Sequence, residues 1–493
     1  MKICHISSYS GQWDFDAVVV GSGPSGSVVA NTLASKGKNV LVLEYGPLVS
    51  PGTLHSEHQK KFPKAFSHLN ENNCDPWTAC CVGGGMEFYD AITFRYRESD
   101  LKPSKYISSD MDMDWPISLT QLNPHYDWIE KKLNVSGTGS NPEFYKSSRA
   151  YLISEAMKNC DLRAKQMPLA IKSGQDGCNY CSACDERSCP TGAKASVISR
   201  SILNDKGLSG SITVLYGIFA ENIEENIEGL IDSVNCIIPF SGRKISITTQ
   251  KIILCCNAIQ SAALLLRSKS SFSPDGIGNK NDLVGRGLMF KISGYSVGYF
   301  EKNVILDTPY FGPHATIFND DFYVNSSIPS GLGGLIYEAN FSTAADNIGK
   351  IRLHYIAGEE SWSKNRIMLD SKFDGFGIPY IKFLYENSKM DMKRIEFLAD
   401  ISEKILLKAG AVRIEREPFT HAKGSSHLHG TLRAGVDPKK SVVDSGGKVH
   451  GYKNLYVMDG GVMNFSGNSN PTHTIMANAR RMAFDLVDKE VSI

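Results

Sequence analysis

The chain has 493 residues, of which 42% are hydrophobic and 21% are charged, and its formal net charge is +1. This length allows two or three domains with buried cores, and the balanced charge gives no indication of nucleic acid or an anionic membrane as a partner. No apolar run approaches the roughly 18 residues of a membrane-spanning helix, and residues 1–16 carry no export signal, so we expect a cytoplasmic protein with reduced cysteines.

The first predicted unit is a strand, a glycine-rich turn, a helix and a second strand. The apolar run Ala17 to Val20 leads into Gly21-x-Gly23-x-x-Gly26, and a second run, Val40 to Leu43, ends at Glu44. Glycines at this spacing allow a tight turn and close approach of the backbone to a pyrophosphate, and a carboxylate about 20 residues further on binds a ribose hydroxyl. The pattern predicts a dinucleotide site, but by itself it does not separate FAD from NAD.

Next along the chain, residues 51–80 show weak periodicity and are expected to be irregular. The stretch 178–194, CNYCSACDERSCPTGAK, then places four cysteines in the pattern C-x2-C-x2-C-x4-C-P: Cys178, Cys181, Cys184 and Cys189. This spacing is one residue longer than a bacterial ferredoxin run, and four thiolates also suit tetrahedral zinc. Three alternatives stay open at this point: an iron–sulfur cluster, a zinc ion, or no metal.

The second half of the chain changes character. Short alternations of Tyr, Phe and Ile between about 294 and 385 predict antiparallel strands, and residues 392–410 predict a helix that stops at Gly410. Three histidines follow closely, His421, His427 and His429, and imidazole is the natural side chain for a base near neutral pH. Asn470 and Pro471 have the form of a helix N-cap and first turn, which predicts a final helix to about Val487.

These residues carry a resemblance to a known family. The C-terminal run from His427 to Val487 resembles the glucose–methanol–choline (GMC) family of FAD oxidoreductases, as do VGGGMEFYDAITFR at 82–95, DWPISLTQLNPHYD at 114–127, KIILCCNAIQSAALLLRS at 251–268 and NDLVGRGLM at 281–289. The nearest branch resembles pyranose oxidases and the sugar and sugar-acid dehydrogenases, some of which carry an iron–sulfur cluster in a cysteine-rich segment.

The resemblance implies an α/β fold, in which a Rossmann-like FAD-binding domain accompanies a discontinuous substrate domain built on an antiparallel sheet. The expected division is FAD-binding in 1–100 and 191–293, a connecting segment with the cysteines in 101–190, substrate binding in 294–424, and a C-terminal FAD-binding and catalytic part in 425–493.

The resemblance also implies roles for individual residues. The family's catalytic histidine precedes the Thr of a Gly-Thr pair by four positions, which selects His427 as the base, with His429 as a rival. Asn470 is the implied partner of His427, with a helix cap alone as its alternative role, and His473 is expected against the flavin or substrate cavity. The implied cofactor-binding residues are Gly21, Gly23, Gly26, Glu44, Gly83, Gly84, Gly85, Asp459, Pro471 and Thr472.

Some relatives attach FAD covalently through a histidine at the position held here by Phe88, so non-covalent FAD is expected. The implied reaction oxidises a hydroxyl of a sugar or aminosugar-like alcohol, with deprotonation by histidine and hydride transfer to flavin N5. Enzymes that oxidise the 6′-hydroxyl of pseudodisaccharides in aminoglycoside biosynthesis fit this description. The alternatives are a flavin-binding scaffold without turnover, an NAD-only dehydrogenase and a non-sugar alcohol substrate; the acceptor is either oxygen or an electron carrier.

Overall fold

The computed structural model describes residues 2–61, 76–138, 141–144, 147–173, 177–181, 184, 187–203, 205–226, 229–301, 311–341, 346, 348–419 and 425–491. Its helices are α1 Pro24–Ser35, α2 His55–Lys61, α3 Glu98–Leu101, α4 Leu119–Leu133, α5 Ser148–Lys158, α6 Asn257–Arg267, α7 Lys389–Lys408 and α8 Thr472–Val491. Its strands are β1 Lys2–His5, β2 Ala17–Val20, β3 Asn39–Glu44, β4 Lys165–Gln166, β5 Ser211–Tyr216, β6 Phe219–Glu225, β7 Ile231–Ile238, β8 Arg243–Thr248, β9 Ile252–Leu254, β10 Ile292–Tyr299, β11 Ile317–Asn319, β12 Gly334–Ala339, β13 Lys350–Ala357, β14 Arg366–Phe373, β15 Pro379–Leu384, β16 Arg413–Arg416 and β17 Leu455–Val457.

A six-stranded parallel sheet forms the first layer, in the order β1-β5-β3-β2-β9-β17. Every residue of β2 and β9 is buried, as expected for parallel strands that are covered on both faces. The predicted strand–turn–helix–strand unit is confirmed as β2, α1 and β3. The carboxyl ends of β2, β3, β9 and β17 lie at one edge of this sheet, where ligands bind in open α/β folds.

A second, antiparallel sheet of six strands has the order β16-β10-β13-β12-β11-β4. Side chains of β13 alternate between its two faces: Ile351, Leu353 and Tyr355 pack with Ile395 and Leu398 of α7 in one apolar core. The other face of β13 is therefore directed away from α7. The antiparallel strands predicted for 294–385 are confirmed.

The remaining described strands form two smaller antiparallel sheets, β6-β7-β8 and β14-β15. Helix α7 ends at Lys408, and Gly410 adopts a φ of +92°, which confirms the predicted stop. The expectation of irregular structure over 51–80 missed the seven-residue helix α2, and residues 62–75 of that stretch lie outside the described residues. The proposed domain boundaries stay a prediction, although all six strands of the parallel sheet fall in the segments assigned to FAD binding.

Among the described residues, no helix is both long and apolar enough to cross a membrane.

Candidate active site

A cavity of about 460 Å³ is lined by the carboxyl edge of the parallel sheet and by side chains of the antiparallel sheet. Its walls include the glycine turn after β2, the segment 84–90, the residues after β9 and β17, and the start of α8. Ser293, Tyr295, Tyr337, Arg352 and His354 of the antiparallel sheet line the cavity as well. Residues that are far apart in the sequence thus meet around one space.

The three glycines after β2 have three different environments. Gly21 has a φ of +100°, and a Cβ there would lie 2.5 Å from the carbonyl oxygen of Cys255. A Cβ on Gly26 would lie 2.0 Å from the oxygen of Gly21, because helix and turn pack closely. Gly23 lines the cavity, and no heavy atom lies within 4 Å of where its Cβ would be. The turn therefore leaves open backbone at Gly23, where a pyrophosphate would lie against the start of α1.

Glu44 lines the same cavity and is held by three hydrogen bonds. Its Oε2 accepts from the Ser22 hydroxyl at 2.6 Å and the Ser22 N–H at 3.1 Å, and its Oε1 accepts from the Gly46 N–H at 2.9 Å. Burial raises the pKa of Glu44, and these hydrogen bonds act in the opposite direction. These hydrogen bonds hold the carboxylate at the end of β3, and its contact with a ribose stays a prediction.

The three glycines of the predicted segment 83–85 are not all on the cavity. The Gly83 N–H donates to the Ser22 hydroxyl at 3.1 Å, so Ser22 joins this segment to Glu44. Gly84 and Gly85 line the cavity, whereas Gly83 lies behind it. Ser22 was not singled out from the sequence, although its place between Gly21 and Gly23 is the signal that points to it.

Asp459 follows β17 and also lines the cavity. Its Oδ2 accepts a hydrogen bond from the Ser261 hydroxyl at 2.6 Å, and its Oδ1 accepts one from the Gly461 N–H at 2.8 Å. Burial raises the pKa of Asp459 to about 6, although both hydrogen bonds favour the ionised form. Phe88, Pro471 and Thr472 line the cavity too.

His427 is half-buried and faces the cavity. Exclusion of water from the imidazole, more than the nearby Lys291 ammonium, lowers the pKa of His427 to about 3. The ring is therefore neutral at ordinary pH and has a lone pair available for a proton. His429 is fully buried, pairs with Met289 through its main chain and does not line the cavity, and His421 lies outside the described residues.

Asn470 lines the cavity, but it does not cap α8. Its Oδ1 is buried and accepts no hydrogen bond from any described residue, and the helix begins at Thr472, with the Ile475 N–H donating to the Pro471 carbonyl at 2.9 Å. The cap prediction is wrong because the side chain is directed to the cavity instead of the first helical amides. A buried amide oxygen without a partner is costly, so its position indicates a ligand.

His473 is also placed differently from the prediction. Its ring lies edge-on to Tyr126 of α4, with centroids 4.7 Å apart, and its Nε2 is 3.9 Å from Glu130. The side chain therefore packs between α8 and α4 and does not line the cavity.

Lys291 is a buried residue that sequence reasoning missed. Its ammonium donates to the backbone carbonyls of Ser466 and Gly467, in the segment that leads to Asn470. Burial lowers the pKa of Lys291 to about 7. A lone lysine after an apolar run carries no signal for this position.

The four predicted metal-binding cysteines line a separate cavity of about 10 Å³. Burial raises the pKa of Cys184 to about 12. For Cys189, hydrogen bonds from Thr191 and Lys194 outweigh the effect of burial and lower the pKa. Within the described ranges, no three His, Cys, Asp or Glu side chains are placed to hold a metal ion. The metal prediction gains no support from this arrangement.

Comparison with known proteins decides the family. Two GMC oxidoreductase models match residues 79–292 and 361–479, and a model of the NAD(P)-binding Rossmann-like domain matches residues 19–70. Paromamine 6′-oxidase of Streptomyces fradiae is 35% identical over 97% of this chain and 93% of its own. The chain belongs to the GMC oxidoreductase family. The resemblance seen in the sequence is thereby confirmed, and this GMC protein is an oxidoreductase.

Other relatives of this GMC oxidoreductase are similar over comparable lengths. The 6‴-hydroxyparomomycin C oxidase of Streptomyces lividus is 35% identical over 95% of this chain and 90% of its own. The fructose dehydrogenase large subunit of Gluconobacter japonicus is 22% identical over 95% and 97%. The crystal structure of pyridoxine 4-oxidase from Mesorbium loti matches with a TM-score of 0.70 at 16% identity, covering 96% of this chain and 99% of that chain, which shows the shared fold alone.

Membership of the GMC family, together with the Rossmann-like turn, implies FAD as the cofactor. The residues fit this group: open backbone at Gly23, a carboxylate at Glu44, and the unpartnered Oδ1 of Asn470 all lie on one cavity.

Proposed function

We propose that this protein catalyses FAD-dependent oxidation of a hydroxyl on an aminosugar-like alcohol to the carbonyl. The observation that carries the proposal is the pair His427 and Asn470, a neutral imidazole and an unpartnered amide oxygen, on the cavity into which the glycine turn opens. The names of the two relatives at 35% identity support an aminosugar, and the primary 6′-hydroxyl of a pseudodisaccharide is the specific group proposed.

His427 accepts the proton of the substrate hydroxyl as the carbonyl forms. The lowered pKa leaves the ring unprotonated before the reaction and also makes it a weaker base, and the alcohol loses one proton and one hydride. FAD, when bound, supplies the two-electron acceptor for that hydride. Asn470 fixes the orientation of the hydroxyl through its amide, so that the proton faces His427.

The remaining predicted residues bind the cofactor in this proposal. Gly21, Gly23 and Gly26 shape the turn for the pyrophosphate, and Glu44 binds the adenosine ribose. Asp459, with Gly84 and Gly85, contacts the central part of FAD. Pro471 precedes Thr472, the first residue of α8, whose positive N-terminal dipole would stabilise negative charge on a reduced flavin.

The decisive experiment mixes FAD-loaded protein with paromamine without oxygen and follows the visible flavin bands. Loss of colour and formation of the aldehyde are the expected result. Protein that keeps bound FAD, yet stays oxidised with paromamine and with a panel of sugars and simple alcohols, is instead a flavin-binding scaffold.

Molecular oxygen is the proposed final acceptor, because both relatives at 35% identity are named oxidases. Readmission of air to reduced protein should restore the flavin colour and release hydrogen peroxide. Reoxidation only by an added one-electron acceptor assigns a dehydrogenase instead.

We also propose that FAD is bound non-covalently. Some relatives attach FAD through a histidine at the position of Phe88, and phenylalanine has no nucleophilic atom to form that bond. Acid precipitation should leave a colourless pellet and a yellow supernatant. A yellow pellet identifies a covalent bond at another residue.

The four cysteines, Cys178, Cys181, Cys184 and Cys189, stay a predicted metal site with three outcomes. Iron with acid-labile sulfide in anaerobically purified protein supports the cluster, and zinc without sulfide supports the tetrahedral ion. If the protein is fully loaded with flavin and contains neither iron nor zinc, the four cysteines are thiols without a metal.

A further inference from the structure

Three side chains form a row across the antiparallel sheet where it faces the large cavity. The register of the strands places His354 of β13 opposite Tyr295 of β10 on one side and opposite Tyr337 of β12 on the other. The His354 ring stacks on Tyr295 with centroids 4.3 Å apart, and its edge meets Tyr337 at 4.8 Å. All three residues line the cavity. We call this set the aromatic row.

The alternation of β13 explains why His354 faces the cavity. Leu353 and Tyr355 pack in the core with α7, so the residue between them has to be directed to the opposite face. Its two ring contacts hold the imidazole in one orientation. His354 is therefore a pre-positioned group on the wall of the site.

The imidazole of His354 has no polar partner within the described part of the chain. Both Nδ1 and Nε2 are buried, and neither makes a hydrogen bond there. Burial, followed by the neighbouring His314, Arg352 and His427, lowers the pKa of His354 well below its usual range. A neutral imidazole offers one N–H donor and one acceptor nitrogen. Buried polar atoms are rarely left without partners, and because His354 lines the cavity its nitrogens are available to a ligand there.

His427 and His354 line the same cavity, and a positive charge on His427 disfavours protonation of His354. A substrate with its reacting hydroxyl at His427 would extend the rest of its ring along the sheet. A simple alcohol has no further polar group to offer there, whereas a sugar ring offers neighbouring hydroxyl and amino groups.

We propose that His354, held between Tyr295 and Tyr337, is a specificity-determining residue that hydrogen-bonds a hydroxyl or an amino group of the substrate's sugar ring. This inference rests on the proposed function and extends it from the reacting hydroxyl to the ring that carries it. A neutral nitrogen acceptor serves a hydroxyl or an ammonium equally, so polyhydroxylated and aminated rings belong to the same class of ligand.

The test compares His354→Phe with His354→Gln. Phenylalanine keeps a ring against Tyr295 but removes both hydrogen-bonding nitrogens, whereas glutamine keeps one donor and one acceptor and loses the ring. The probe is a paromamine analogue with hydrogen in place of the reacting hydroxyl, because it binds without turnover. Calorimetry measures its dissociation constant on the oxidised FAD-loaded protein, and thermal unfolding with FAD content confirms that each variant is folded.

The expected result is that His354→Phe weakens binding of the analogue about 10- to 100-fold, because the sugar's polar groups lose their partners. His354→Gln should remain within about 5-fold of wild type. In anaerobic reduction of His354→Phe, the paromamine concentration that gives half the maximal rate should rise by the same factor. The maximal rate itself should change less. Unchanged binding in His354→Phe, or equal weakening in both variants, overturns the inference and leaves His354 a structural residue.

The two levels of the argument fail in different ways. Wild-type flavin that is reduced by paromamine, together with an unaffected His354→Phe variant, overturns the role of His354 alone. Wild-type protein that neither binds the analogue nor is reduced by paromamine overturns both. If His354→Phe does not fold, His354→Leu and His354→Gln provide the same comparison, and equal binding by these two overturns the proposal.

Discussion

The hydroxyl of Ser22 donates a hydrogen bond to Oε2 of Glu44 at 2.6 Å and accepts one from the Gly83 N–H at 3.1 Å. Ser22 is part of the glycine turn, Glu44 ends the next strand, and Gly83 directly precedes the segment 84–90 that lines the cavity. One side chain therefore ties together three parts of the predicted cofactor site.

Glu44→Ala removes the acceptor of three hydrogen bonds, two from Ser22 and one from Gly46. We expect weaker retention of FAD on dilution and a loss of about 1–3 kcal/mol in the free energy of unfolding, because buried donors lose their partner. Any flavin that stays bound should be reduced at the normal rate, since the ribose is far from the reacting atoms. Full FAD occupancy of this variant in dilute solution contradicts the ribose assignment.

His427→Ala should slow flavin reduction by roughly 10²–10⁴-fold while FAD stays bound, because a positioned base contributes about that much. His429→Ala is the matched control, because this neighbouring imidazole is buried away from the cavity. Rapid-mixing measurements without oxygen should give a near-normal rate for the control, with lower thermal stability. The reverse result transfers the role of base to His429.

Asn470→Ala should slow flavin reduction without the loss of about 1 kcal/mol that removal of a helix cap brings. The reason is that the Asn470 Oδ1 makes no hydrogen bond to the first turn of α8. Ser388→Ala is the control, because the Ser388 hydroxyl does cap α7, accepting from the Asp391 N–H at 3.0 Å. Asn470→Ala should therefore lower the reduction rate and leave thermal stability unchanged. Ser388→Ala should lower thermal stability and leave the reduction rate unchanged. A stability loss in Asn470→Ala with a normal rate restores the cap assignment.

His473 should make the protein less stable as the pH falls from about 6.5 to about 4. Burial, with Arg95 in support and Glu130 in opposition, lowers its pKa to about 4 in the folded protein, whereas an unfolded histidine titrates near 6.5. Within this window the unfolded chain binds a proton that the folded chain does not, so unfolding becomes more favourable as the pH drops. Below about pH 4 both states are protonated and the contribution stops changing.

Urea unfolding of wild type and His473→Phe at several pH values measures this contribution. Phenylalanine keeps the ring contact with Tyr126 but binds no proton, so its curve should fall less steeply by an amount on the order of 3 kcal/mol across the window. Identical slopes for the two proteins contradict the assignment to His473.

The sequence by itself determined the parts of the site that local interactions specify. The turn at Gly21, Gly23 and Gly26 follows from backbone sterics within a few residues, and Glu44 follows because a six-residue strand ends there. The choice of His427 came from a family pattern of similarly short range, and the structure places that residue on the cavity.

Only the tertiary structure decided which way the remaining side chains face. Asn470 and Pro471 match the local pattern of a helix cap, yet the Asn470 side chain lies on the cavity wall and does not bond the helix. The ring of His473 packs against Tyr126 of α4. No local pattern pointed to His354, because its position between Tyr295 and Tyr337 depends on the strands paired on either side of it. The cause is common to all three: a pattern along the chain specifies helix or strand, but packing against elements distant in sequence selects the face that becomes buried or meets a ligand.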